Sequence, residues 1–328
     1  MNAIVNFLFY SVRAGTPLLL GTTGEIISEK SGSMNLGVEG MMAVGAITGY
    51  YLGCKTNSVL VALLVAFLSA ALCGLVFAFL TTTLQANQNV TGLAMTTFGV
   101  GVYTLIGRSL TQSGEFPAMD SANKLVAFSK DTGIPLLRDI PILGKLLFSY
   151  NYFVYLAIII AVLLWVYIAK TKQGLRLRAV GENPGAADAC GVNITLYKYL
   201  HAIGGAGICG IGGLYMALVT NGGAWNESWI NGFGWISVAL VIFASWSPMV
   251  AIFGSCFFGI FNALQAWKGN LTDAFPNALG WLSVLPNEFY QMLPFLITAL
   301  VLIISSVRQK KHSKAPAYVG VNYFREDR

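Results

Sequence analysis

The chain has 328 residues, of which 55% are hydrophobic and only 10% charged, and its mean hydropathy is +0.66. Soluble domains carry roughly 25% charged residues, so this composition excludes a water-exposed globule and makes lipid the solvent. The net charge of +6 does not point to nucleic acid. The basic residues cluster at the ends of apolar runs, where membrane insertion requires them.

In chain order the pattern predicts an all-α polytopic membrane protein with about nine transmembrane helices. No secretory signal is expected at the start, which lacks a basic n-region and a small-residue cleavage site. An amphipathic segment over 2–13 leads into a first span over 14–27. Further spans are expected over 36–52, 58–80 and 90–110. A polar loop, 111–149, follows. Its Lys124, Lys130, Arg138 and Lys145 balance Glu115, Asp120, Asp131 and Asp139. A fifth span, 150–169, precedes a basic loop, 170–198, with Lys170, Lys172, Arg176, Arg178 and Lys198.

A sixth span is expected over 199–219. The stretch 228–267 then carries no charge. As one helix it would be ~60 Å long, about twice the hydrocarbon thickness. The chain must therefore turn back, and Trp246-Ser247-Pro248 is the candidate turn because proline breaks the helical ladder. This divides the run into spans over 232–246 and 249–267, with Trp246 at the membrane interface, where indole is favoured. A ninth span, 289–307, and a basic tail, 308–328, complete the chain. The tail holds Arg308, Lys310, Lys311 and Lys314.

The Lys and Arg distribution sets the orientation. The basic loop and the tail are expected inside, with Lys172 and Lys310. The long loop is expected outside, with Lys124, and so is the N-terminus. We read 1–328 as a single transmembrane domain, with 14–307 as its membrane core.

Cys54, Cys73, Cys190, Cys209 and Cys256 show no C-x-x-C spacing, and the histidines are His201 and His312. No disulfide framework, metal site, cofactor site or catalytic cluster is expected from them. The glycine-rich run from Gly204 to Gly213 suits close helix packing in lipid, although glycine also permits a hinge.

The basic loop holds the most informative short stretch. Asn183 is a good N-cap and Pro184 suits the first helical position. Ala186, Ala187 and Ala189 favour helix, and Gly191 can end it in the left-handed conformation. A short capped helix over 183–191 is either a loop ornament or a docking element for a partner.

The same residues carry a resemblance. Gly185-Ala186-Ala187, Asp188-Ala189-Cys190 and Gly191 resemble the coupling loop of bacterial ABC-importer permeases. Their pattern is E-A-A, three residues, G. Glycine replaces the glutamate here, and the downstream I-x-L-P part is absent. Both departures resemble the branch that imports sugars, branched-chain amino acids and nucleosides. Gly24-Glu25-Ile26-Ile27-Ser28-Glu29-Lys30-Ser31-Gly32 with Asn35-Leu36-Gly37-Val38-Glu39-Gly40-Met41-Met42 is similar to that branch's nucleoside permeases, the basic membrane protein-dependent type. So are Ala86-Asn87-Gln88-Asn89-Val90-Thr91-Gly92 and the run from Gly234 to Pro248, with Ala244 where that family usually has glycine.

The resemblance implies a permease subunit of the bacterial cytoplasmic membrane, coupled to a separate cytoplasmic ABC ATPase. Arg176, Arg178, Glu182, Asn183, Pro184, Ala186, Ala187 and Gly191 would form the coupling element, with Ala187 on the face that meets the ATPase. A second homologous permease chain, more fittingly a different one, would share the path. An extracytoplasmic lipoprotein would deliver a small polar solute such as a nucleoside. The chain has no G-x-x-x-x-G-K-[ST] loop, and so no ATPase site of its own is expected.

Glu25, Asn35, Glu39, Gln88 and Asn89 are the candidates for the path, because polar groups in apolar spans are costly. Glu39 has two readings: a path carboxylate, or a charge near the start of a helix capped by Asn35, where the dipole favours it. Either reading implies a broken helix, as at transport pathways. Trp225, Asn226, Trp229 and Asn231 fit a nucleobase contact; the alternatives are an interfacial belt for the tryptophans, which is the stronger expectation, and helix capping for the amides. The rival to ATP coupling is a secondary transporter driven by an ion gradient, with Glu25 and Glu39 as coupling carboxylates. A membrane enzyme is the more distant rival.

Overall fold

The first helix is longer than its sequence pattern suggests. In a computed structural model, which describes residues 2–135, 137–138, 140–230, 232–308 and 315–324, α1 runs unbroken over Asn2–Glu29. The expected amphipathic lead and first span are therefore one element. Arg13, which reads as a boundary, stays inside α1 because Asp131 of the long loop pairs with it at 2.9 Å. Pro17 also lies within α1. Proline lacks the N–H that would bond the carbonyl four residues back. That carbonyl, of Arg13, instead accepts from the Tyr215 hydroxyl at 3.0 Å. Asp139, Asn231, Lys310, Lys311, His312 and Lys314 lie outside the described residues.

The remaining helices follow the predicted runs with shifted ends. They are α2 (Val38–Thr56), α3 (Val59–Ala78), α4 (Gln88–Gln112), α5 (Asn123–Ser129), α6 (Leu143–Phe148), α7 (Tyr152–Lys170), α8 (Lys172–Glu182) and α9 (Pro184–Ala189). Then come α10 (Ile194–Tyr215), α11 (Phe233–Phe243), α12 (Pro248–Ala274), α13 (Pro276–Leu279), α14 (Trp281–Val284) and α15 (Asn287–Arg308). Both α3 and α10 end in a widened π turn, Phe79–Thr83 and Met216–Thr220. Among the described residues there is no strand.

Among the described residues six helices are long and apolar enough to cross a membrane: α1, α3, α4, α7, α10 and α12, with α3 and α10 counted through their π turns. The other three predicted runs form α2, α11 and α15. With 11 residues, α11 is only ~16 Å long, about half the hydrocarbon core. The turn that separates it from α12 lies where proline places it. Ser245 and Trp246 take left-handed φ values of 50° and 55°, and Pro248 opens α12.

Packing explains the glycines. The enclosed helix α10 sits against α1, α2 and α3. A Cβ on Gly205 would collide with the Gly24 carbonyl, one on Gly210 with the Ala66 carbonyl, and one on Gly213 with the Met42 carbonyl. Backbones this close are what small residues permit in lipid. On α3 the opposite face carries Leu60, Leu64, Leu68 and Leu72, spaced by four residues and 50–66% exposed. An apolar stripe of that length belongs against lipid or another apolar chain, not water.

The ends of the helices sort into two faces. On one, Phe9 of α1 stacks on Tyr150 at 4.7 Å, beside the Arg13–Asp131 pair of the long loop. On the other, the tail segment 315–324 meets α8. The Tyr318 N–H bonds the Gly181 carbonyl at 2.9 Å, and the Gly320 N–H bonds the Gly32 carbonyl at 3.3 Å. The basic loop and the end of the tail therefore share a face, as the charge pattern requires.

Candidate functional site

Between α1 and α2 the chain turns at Gly32, with φ +83°, and then runs without helix to Gly37. Backbone groups at membrane depth need partners inside the protein, and side chains supply them. The Ser33 carbonyl accepts from the Ser28 hydroxyl at 3.1 Å. The Met34 N–H donates to Gln88 Oε1 at 2.7 Å, and the Asn35 N–H to Glu25 Oε1 at 2.9 Å. The Leu36 carbonyl accepts from Thr96 Oγ1 at 2.9 Å, and the Gly37 N–H donates to Asn35 Oδ1 at 2.9 Å. The sequence thus presents Glu25, Asn35 and Gln88 for a common physical reason: together they hold one interrupted stretch of backbone.

Two of these placements differ from expectation. Asn35 does not cap α2. Gly37 stands at the N-cap, and Asn35 closes the turn before it. Asn89 is exposed, whereas its neighbour Gln88 is 3% exposed.

Glu39 lies in the first turn of α2 but serves another helix. Its two carboxylate oxygens accept the N–H groups of Gly232 and Gly234, each at 2.7 Å. These open α11, where unpaired N–H groups and the helix dipole attract negative charge. Gly232 takes φ +85°, a conformation glycine adopts without strain. Gly234 lets α11 approach the backbone of Glu39. At the far end of α11 the Trp246 indole N–H donates to the Glu29 carboxylate. Trp246 is 7% exposed, so the expected interfacial position is replaced by this buried bond. Among the described residues the ion pairs are Arg13–Asp131 and Arg108–Glu227, and neither involves Glu25, Glu29 or Glu39.

Beside Glu39 a cavity of about 310 Å³ is lined by Ala43, Val100, Tyr103, Glu227, Ser228, Ile230, Gly232 and Trp235. The Arg108 guanidinium, 2.6 Å from Glu227, holds that carboxyl below the usual carboxylate range. Next to the cavity, Tyr50, Tyr103, Phe116, Trp225 and Trp229 form an aromatic cluster. Trp229 is 1% exposed and its indole N–H bonds the Ala224 carbonyl at 2.7 Å. It packs inside the protein and does not belong to an interfacial belt. Asn226 joins the same cluster, its carbonyl accepting from the Tyr103 hydroxyl.

Across Gly232 lies a larger cavity of about 570 Å³, lined in part by Tyr10, Arg13, Thr220, Phe233, Asn262 and Gln265. Arg13 Nε and Asn262 Nδ2 have no hydrogen-bond partner there. The sequence reading missed this cavity, because Asn262 and Gln265 look like isolated amides within an apolar run.

On the opposite face the short helix is built as its residues predict. Asn183 Oδ1 accepts the Ala186 N–H at 2.9 Å, Pro184 takes the first turn, and Gly191 adopts φ +78°. Arg176, Arg178, Glu182, Asn183, Ala186, Ala189, Cys190 and Gly191 are exposed. Pro184 and Ala187 are buried, Ala187 to 4%. The expectation that Ala187 faces a partner is therefore corrected: it packs on this chain, and Ala186, Ala189 and Cys190 point outward. Burial of Lys30 next to this face lowers its pKa from the ordinary lysine value, opposed by Glu182. Among the described residues no cluster of His, Cys, Asp and Glu has the makings of a metal site.

Comparison with known proteins agrees with this architecture. The chain belongs to the family described as branched-chain amino acid transport system / permease component, whose model matches residues 7–302. As a member it is a multi-pass transport permease of the membrane. A putative glucose ABC transporter permease protein of Haloferax volcanii is 33% identical, over 99% of both chains. A nucleoside ABC transporter permease protein of Lactococcus lactis is 31% identical over 98% of this chain and 96% of its own. A guanosine ABC transporter permease protein of Bacillus subtilis is 32% identical over 95% of this chain and 94% of its own. No solved structure matches the chain.

Proposed function

We propose that this chain is one permease subunit of an ATP-driven importer for nucleosides or related small polar solutes, without an ATPase site of its own. Helix α9 docks on a separate cytoplasmic ABC ATPase, and the face bearing Glu227 and Ser228 receives solute from an extracytoplasmic lipoprotein. The observation that carries this reading is α9 itself. It is capped at both ends, and its outward face is formed by Ala186, Ala189 and Cys190. A rigid helix of small residues fits a groove in a partner. The solute class rests on the 310 Å³ cavity, where the exposed Trp235 offers a ring face and Ser228 a hydrogen-bond partner.

A second, different permease chain is the favoured partner. In Bacillus subtilis a further guanosine permease protein is 23% identical to this chain, and in Haloferax volcanii a further glucose permease protein is 26% identical. Each organism thus has two permease proteins named for one solute. The test is uptake of labelled guanosine and labelled glucose by cells expressing this chain together with its partner permease, ATPase and lipoprotein. We expect guanosine uptake to stop on ATP depletion and to survive a brief uncoupler treatment. Uptake that dies with the uncoupler while ATP remains high would establish the ion-coupled alternative instead.

A further inference from the structure

The returning C-terminal segment crosses the same face as α9 and touches three separate parts of the chain. The Tyr323 hydroxyl donates to Asp188 Oδ2 of α9 at 3.1 Å. One residue earlier, Asn322 Nδ2 donates to the carbonyls of Gln85 and Ala86 at 2.6 and 3.2 Å, in the link between α3 and α4. Asn322 Oδ1 accepts from Gln88 Nε2 at 3.1 Å. Gln88 spends its other side-chain atom on the Met34 N–H, in the interrupted stretch before α2. Glu39 follows five residues later and lines the 310 Å³ cavity.

We infer that Asn322 and Tyr323 are positioning residues for energy coupling. They join the coupling helix to the broken start of α2 through the series Asp188, Tyr323, Asn322, Gln88 and Met34. This rests on the docking role proposed for α9.

Three features favour a mechanical link over a loose tail. First, the segment is pinned at its other end, where Ala317 donates to Glu182 Oε2 at 3.4 Å, Tyr318 to the Gly181 carbonyl and Gly320 to the Gly32 carbonyl. Second, each bond of the series joins side chain to side chain or to main chain across elements far apart in sequence, so a shift of α9 is felt at 85–88. Third, the receiving end is main chain without helical bonds of its own. Moving Gln88 therefore deprives Met34 of its partner, and the stretch must rearrange instead of merely flexing. Between α9 and the segment an open cavity of about 720 Å³, lined in part by Gln85, Asp188, Asn193, Tyr323 and Phe324, leaves room for such a shift.

The test uses the full chain in complex with its partner permease and ATPase, in right-side-out vesicles loaded with MgATP and vanadate or left without nucleotide. Ser228→Cys on the cavity rim reports the state of the outer face through its rate of reaction with an impermeant maleimide. Asn322→Ala, Tyr323→Phe and the double variant are compared with the parent. We expect all of them to copurify the ATPase and to hydrolyse ATP. The nucleotide-dependent change in labelling rate should shrink at least about five-fold, the lower end of coupling between sites. Because the links act in series, the double variant should be no worse than the worse single one. A nucleotide response retained in both single variants would overturn the proposal, as would loss of the response through loss of the ATPase. A parent that neither binds the ATPase nor responds to nucleotide would instead overturn the docking role, and this inference with it.

Discussion

At the scale of residues, the polar groups in the spans act chiefly on backbone. Glu25, Asn35 and Gln88 were legible as residues that lipid cannot accept. Their partners were not, because an extended stretch such as 33–37 has no periodicity to read. Glu39 makes the point testable. Its carboxylate holds two N–H groups at the start of α11. Glu39→Leu leaves both without an acceptor, at about 1–3 kcal/mol each. Glu39→Gln keeps one acceptor oxygen and should cost less. We expect melting temperatures in detergent to fall in the order wild type, Gln variant, Leu variant, with solute uptake lost in the Leu variant. Equal melting of all three would mean that Glu39 contributes nothing to holding α11. Trp246 teaches the same lesson: its place in the turn was readable from Pro248, but its bond to Glu29 depends on how α1 and α11 meet.

At the scale of elements, local signals translated well and facing did not. The cap, the proline and the terminal glycine specify α9 within a few residues. Which side it buries is decided by packing against this chain, and so Ala187 turned inward. The consequence can be measured. Ala189→Asp sets a charge on the exposed side, which an ATPase groove would have to bury unpaired, at several kcal/mol. It should leave permease abundance normal and abolish ATPase copurification. Ala187→Asp buries the charge within the permease and should lower abundance or melting temperature first. If Ala189→Asp retains the ATPase, α9 is not the docking helix. The glycines of α10 give a second contrast. A Cβ on Gly205 meets the Gly24 carbonyl, whereas around Gly204 nothing lies within 4 Å. Gly205→Val is expected to cut folded yield in detergent and Gly204→Val to leave it nearly unchanged. Equal effects would count against helix packing as the reason for the glycine run.

At the scale of the whole molecule, apolar runs and basic clusters made the polytopic fold and its two faces readable. Hydropathy was a poor guide to α11, a half-length helix that looks like a span until its depth is set by Glu39 and Glu29. It gave no sign that 315–324 returns to the bundle, since that segment has no apolar run and is held by hydrogen bonds to residues far away in sequence. The sidedness of the two faces has a direct test in a native thiol. Cys190 is exposed at the C-cap of α9, whereas Cys54, Cys73 and Cys209 are buried and Cys256 is partly so. On the opposite face Lys124 is exposed in α5. An impermeant maleimide should therefore label Lys124→Cys in intact cells and leave Cys190 untouched. In inverted membranes stripped of the ATPase the accessible thiol should become Cys190, and adding back the ATPase should shield it. The logic is exclusion by contact: a thiol at the centre of a docked interface loses access to reagent, whereas one merely near it does not. Labelling of Cys190 in intact cells would invert the orientation. Labelling in inverted membranes that the ATPase does not slow would keep the orientation and remove α9 from the interface.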